Sequence, residues 1–224
     1  MTISYPSGGT PIPAELFTPV GASRGAAVVL AHGADGITDH LTGPWATMMR
    51  DYATELAQAG FTVLLPNYFE KTETKPGDKA MQTMLVHMPA WQQALADALN
   101  YAATQPGIAP GGLALVGFSL GGHLSLRLRG RVRVLVEFFA PYGTGIGSVA
   151  SGARHVQIHH GEADRLVDVS NAELIATALK DEGVTPSVHT YDGAGHGFNG
   201  ADAKNTAARK LSKERTLRFV ASHL

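Results

Sequence analysis

Short, continuous apolar runs alternate along this chain with longer segments of helical periodicity, and that alternation admits few folds. Ala26–Ala31 (AAVVLA) carries no polar residue. A Val-rich run of this length fits a strand covered on both faces, as in a parallel sheet. Pro44–Ala59 then reads as a helix, with Pro44 in its first turn and Gly60 stopping it. The pattern continues with strand Phe61–Leu65, helix Met81–Thr104, strand Gly112–Gly117, helix Leu120–Arg129 and strand Val132–Phe139. Strand His155–His159, helix Ser170–Glu182, strand Ser187–Tyr191 and a helix over Ala203–Ser222 complete it. Strands alternating with helices of this length predict βαβ units around a mostly parallel sheet. Gly8–Gly9 predicts a hairpin turn between Ile3–Tyr5 and Ile12–Thr18, with Pro11 and Pro13 suited only to edge positions. At 224 residues, one doubly wound α/β domain spanning 1–224 is the economical reading.

Composition narrows the function. Eighteen Lys and Arg against 19 Asp and Glu leave a net charge of −1, so no field draws the protein to nucleic acid or an anionic membrane. The chain has no cysteine, which excludes disulfides, thiolate metal sites and a thiol nucleophile. The N-terminal MTISYPSGGTPIPAELF has neither a basic region nor an apolar core of a leader, and no segment approaches a membrane span. The expectation is a soluble cytoplasmic protein acting on a small molecule, with no nucleic-acid or membrane partner and an oligomeric state left open.

Gly117-Phe118-Ser119-Leu120-Gly121 is a G-x-S-x-G sequence between a strand-like and a helix-like segment. There a sharp turn crowds the backbone, so glycines flank a serine whose hydroxyl is lifted to the sheet edge. The spacing alone is weak in a chain with 26 glycines; its position between strand and helix strengthens it. A serine hydroxyl needs a base to take its proton, and a histidine base needs a carboxylate to hold its tautomer. Asp164 in HHGEADRLVD and His196 in YDGAGHGF each follow a strand, in loops at the edge where open α/β sheets place their sites. Serine, then aspartate, then histidine is the chain order of α/β-hydrolases. An oxyanion needs backbone donors: the Leu120 N–H that opens the helix, and the Ala34 N–H in His32-Gly33-Ala34-Asp35-Gly36, where Gly33 permits close approach.

With these motifs in place the chain resembles the dienelactone hydrolase family of the α/β-hydrolase superfamily. The resemblance runs through AHGADG, FTVLLPNYF, VGFSLGG, HHGEADRLV, GAGHGF and KERTLRFV, essentially the whole chain. It implies the α/β-hydrolase fold without a separate lid domain, Ser119 as nucleophile, Asp164 as acid, His196 as base, Leu120 and Ala34 as oxyanion donors, and no cofactor or metal. Two positions depart from the name-giving enzymes, which resemble this chain but carry a cysteine where Ser119 stands and a glutamate where Gly33 stands. They also place an arginine shortly after the histidine, whereas His196 is followed by Gly197-Phe198-Asn199-Gly200. The departures point away from dienelactone itself as substrate.

Plainer readings stand beside these. Asp168 rivals Asp164 but falls where the next helix starts, a common N-cap position. His32, His159, His160 and Asp164 form no metal-ligand spacing, and adjacent histidines on a strand face opposite ways. Gly145–Ala150 matches a relaxed dinucleotide pattern but lacks the helix that would cradle phosphate. Glu137 inside VLVEFF should meet Arg131 or Arg133, or be partly exposed near the site, because an unpaired buried carboxylate is costly. Tyr68, Phe69, Phe118, Tyr142 and Phe198 flank the motif loops and could shape an acyl pocket. The expected activity is hydrolysis of carboxylic esters or lactones through an acyl-enzyme. A non-catalytic binding or regulatory protein on the same fold, or an acyltransferase or peptidase with the same three residues, are the competing readings.

Overall fold

A computed structural model describes residues 1–38, 45–143 and 152–224. Eight strands form one sheet: β1 Thr2–Ser7, β2 Thr10–Phe17, β3 Ala27–Ala31, β4 Thr62–Pro66, β5 Leu113–Phe118, β6 Val134–Phe138, β7 His155–Gly161 and β8 Ser187–Tyr191, in the order β1-β2-β4-β3-β5-β6-β7-β8. The first two pairings are antiparallel and all others parallel. The helices are α1 Trp45–Gln58, α2 Asp78–Ala103, α3 Leu120–Arg127, α4 Ser170–Asp181 and α5 Ala203–His223.

Side chains alternate across each strand, so the apolar runs supply two cores. Ala27, Val29 and Ala31 face α2, α3 and α4, while Val28 and Leu30 face α1 and α5. This is why β3 through β6 lack the polar alternation of a half-exposed strand. Helix bounds lie within three residues of those expected; Pro44 falls outside the described residues.

The N-terminal hairpin turns at Gly8–Gly9, as its dipeptide predicts. One detail differs: β2 is not an edge strand, since it lies between β1 and β4. Its pairing with β4 covers only Ala14–Phe17, so Pro11 and Pro13 sit in the half that has β1 alone as ladder neighbour. The rule against proline in a central ladder is thus met locally. No helix among the described residues is long and apolar enough to cross a membrane.

Candidate active site

β5 ends at Phe118 and α3 begins at Leu120, leaving Ser119 to make the whole turn. Its backbone sits at φ 53°, ψ −116°, a strained conformation for a residue with a side chain. The strain is held from both sides: the Ser119 N–H donates to the Phe138 carbonyl at 2.8 Å, and its own carbonyl accepts from the His123 N–H at 3.0 Å. The flanking glycines are required by contact. A Cβ at Gly117 would stand 2.3 Å from Ser125 Oγ, and one at Gly121 would stand 2.2 Å from the Ala31 carbonyl oxygen.

Three loops at the same sheet edge meet at this turn. His196 Nε2 lies 3.0 Å from Ser119 Oγ, and His196 Nδ1 lies 2.7 Å from Asp164 Oδ2. Because a carboxylate only accepts, Nδ1 carries the proton toward Asp164 and Nε2 is left to accept from the serine hydroxyl. Asp164 Oδ1 accepts from the Leu166 and Val167 N–H groups, each at 2.9 Å. Burial alone would raise the Asp164 carboxyl, but bonds from His160, His196 and the Val167 N–H outweigh it and hold the group well below the ordinary carboxylate range. Phe139 packs its ring edgewise on the His196 imidazole with centroids 4.8 Å apart.

Asp168 stands one residue ahead of the expected place, since Val169 is the N-cap of α4; its Oδ1 accepts from the Ser170 N–H at 2.9 Å, and His196 bonds Asp164 instead.

The loop after β3 crosses directly over Ser119. A Cβ at Gly33 would lie 3.4 Å from Ser119 Cβ. His32 pins this loop from inside: Nδ1–H donates to the Gly33 carbonyl at 2.8 Å, and burial pulls the imidazole down to about 4, so it is neutral. The Tyr68 hydroxyl donates to the His32 carbonyl at 2.6 Å, and the Tyr68 ring stacks on His32 at 3.9 Å. Gly33 is thereby held against the serine with Ala34 next to it on the cleft wall, and Leu120 opens α3, where first-turn N–H groups have no intrahelical acceptor.

Ser119 and His196 face a cleft of about 1010 Å³. Trp45, Met49, Pro76, Met81 and Leu166 give it apolar walls, and Lys75, Lys79 and Arg165 stand with Asp35 and Asp78 around them. Asp35 is held above the ordinary carboxylate range, mainly by burial.

None of the five aromatics expected to shape the pocket lines this cleft. Tyr68 and Phe69 are fully buried under the loop after β3, where they brace His32. Phe118 and Phe198 point to the α1 and α5 side, toward a separate cavity of about 640 Å³, because alternation along β5 turns Phe118 away from the cleft. Tyr142 is exposed, and its N–H donates to Asn171 Oδ1 at 2.8 Å.

Glu137 is also a correction. It is completely buried and meets neither arginine; Oε2 accepts from the Ala140 N–H at 3.0 Å, and Arg131 instead donates to Asn100. Arg133 is four residues away along β6, roughly 13 Å at about 3.3 Å per residue, toward the opposite sheet edge. Gly145–Ala150 lies outside the described residues. Among the described residues no group of three or more His, Cys, Asp or Glu side chains is arranged to hold a metal ion. His160, weighed in the sequence only as a metal ligand, instead stands beside the acid, with Nε2 3.4 Å from Asp164 Oδ2; its spacing of four residues from Asp164, across a strand end, is the signal for that contact.

Known proteins resemble this chain along nearly its whole length. The model of the dienelactone hydrolase family matches residues 12–224. A carboxymethylenebutenolidase from Pseudomonas sp. (strain P51) is 28% identical over 236 aligned positions, covering 95% of this chain and 91% of that protein. Two solved structures share the fold. A dienelactone hydrolase-like promiscuous phosphotriesterase from metagenomic libraries has a TM-score of 0.78 at 20% identity, covering 100% of this chain and 97% of its own. An α/β serine hydrolase without a lid, from Xanthomonas campestris, has a TM-score of 0.72 at 19% identity, covering 97% and 93%. The fold is that of the α/β-hydrolases, and the chain belongs to the dienelactone hydrolase family.

Proposed function

We propose that the protein is a serine hydrolase that cleaves carboxylic esters or lactones through an acyl-enzyme on Ser119. The observation that carries this reading is the continuous line from Ser119 Oγ to His196 Nε2 at 3.0 Å and from Nδ1 to Asp164 Oδ2 at 2.7 Å. Ser119 Oγ attacks the acyl carbon while His196 takes its proton, and Asp164 orients the ring and stabilises the imidazolium. The carbonyl electrons move onto oxygen, where the Leu120 and Ala34 N–H groups receive them. As the tetrahedral centre collapses, the C–O bond to the alcohol breaks and His196 returns the proton to the leaving oxygen. Water then attacks the acyl-enzyme with the same proton transfers in reverse, releasing acid and free serine. For a lactone, acid and alcohol leave as one molecule.

Family membership supports hydrolysis in general, and in a chain without cysteine Ser119 is the hydroxyl nucleophile that the elbow offers. The test is turnover of p-nitrophenyl acetate followed by a panel of esters and lactones graded in chain length and charge. Burst release of nitrophenol equal to enzyme, abolished in Ser119→Ala with an unchanged far-UV CD spectrum, is expected. Ester turnover that survives in Ser119→Ala would contradict the reading.

A further inference from the structure

His160 and Glu137 are buried side chains that the steps above do not use. They stand on one face of the sheet: Glu137 on β6 is opposite Ile158 on β7, and His160 is two residues beyond Ile158. His160 Nε2 lies 2.9 Å from the Val167 carbonyl, which only accepts, so this nitrogen carries a proton. The same N–H reaches toward Asp164 Oδ2 at 3.4 Å, the oxygen that His196 also holds. The other ring nitrogen, Nδ1, is buried without a hydrogen-bond partner among the described residues, and so is Glu137 Oε1. No hydrogen bond joins the two atoms, so what couples them is charge: burial pushes the Glu137 carboxyl up to about 7, and a proton on His160 Nδ1 favours its ionised form as the Glu137 charge favours that proton.

We propose that His160 is a positioning residue that acts through Asp164: an imidazolium between the Asp164 and Glu137 carboxylates, it keeps Oδ2 aimed at His196 and tempers that carboxylate's pull on the His196 proton. The inference rests on the esterase reading for its effect on turnover, though the charge pair itself does not. The surroundings fit. Facing His160 are the carboxylates of Glu137 from β6 and of Asp164 and Asp168 from the loop after β7. β8 sets uncharged Thr190 beside it, and the buried face of α4 is apolar. Burial pulls the His160 imidazole down, but Asp164, the Val167 carbonyl and the Glu137 charge more than reverse it, and the group lies above the ordinary histidine value.

The signs of two substitutions separate this role from a structural one. His160→Gln keeps a donor for Val167 and Asp164 but takes away the cation, so Asp164 acts unopposed on His196 and favours its charged form. The acid limb of kcat/KM then moves to higher pH by about half a unit. Glu137→Gln removes the anion behind His160, leaves its cation less compensated and moves the limb to lower pH by a similar amount, about half a unit. His160→Leu, which removes donor and charge, lowers kcat about tenfold with KM within about twofold. The charge is read without turnover by nitrogen NMR of histidine-labelled Ser119→Ala protein near neutral pH, where both His160 ring nitrogens should be protonated. A bare Nδ1, or limbs that stay put or move the same way in both glutamine variants, would overturn the proposal. Ester turnover absent from the wild type would sink the esterase reading and with it the catalytic role, while the NMR still decides the charge pair.

Discussion

At the scale of single residues, Asp164 shows how a charge is made affordable in a buried place. Two backbone N–H groups and two imidazoles surround its carboxylate. Its depressed ionisation means that it favours the folded state above the ordinary carboxylate pKa of about 3.9, and that this contribution is lost as acid protonates the folded group. Asp164→Asn should therefore lower Tm at neutral pH, by about 2 kcal/mol of stability, with the difference shrinking below about pH 4. On the reading above it also lowers kcat by about 10⁴ through loss of the correct tautomer. These residues were legible because an elbow serine, an acid and a histidine, after β5, β7 and β8, satisfy one chemical requirement in a fixed chain order. Glu137 was not, because it bonds a backbone N–H only three residues on and its charged neighbour His160 comes from the adjacent strand, and neither shows in the sequence as a nearby opposite charge.

At the scale of elements, the site depends on close crossings more than on the reacting groups. α3 passes so near β3 that Gly121→Ala would place a methyl against the Ala31 carbonyl. That variant should lose about 1–3 kcal/mol of stability by overpacking, seen as a fall in the urea midpoint at unchanged m, and lose most turnover as Ser119 shifts. The short turn Tyr68–Thr72 braces the loop after β3 through the Tyr68 hydroxyl. Tyr68→Phe leaves the buried His32 carbonyl without that donor, and should cost about 1–3 kcal/mol and lower kcat more than it raises KM. Helices and the central strands were readable from periodicity, since both faces of β3, β4 and β5 are covered and their runs are almost wholly apolar. The placement of aromatics at strand ends was not, because a shift of one residue along a strand turns a ring to the other core. Phe118 and Ser119 are neighbours in sequence, yet the ring belongs to the α1 and α5 side while the hydroxyl faces the cleft.

At the scale of the whole molecule, the sheet order brings the ends of β3, β5, β7 and β8 to one edge, and each carries one part of the site. The long sequence separations, 77 residues from Ser119 to His196 and 32 from Asp164 to His196, are closed only by the completed sheet. Loss of activity and loss of global structure should accordingly coincide in denaturant titrations, with no active partly folded state. The most direct test of the account is mass mapping of the adduct left by a fluorophosphonate probe. One adduct, on the peptide containing Ser119 and slowed when His196 is replaced by alanine, is the expected result. An adduct on another residue, or equal labelling of Ser119 with and without His196, would contradict Ser119 as the proposed nucleophile and His196 as the proposed base.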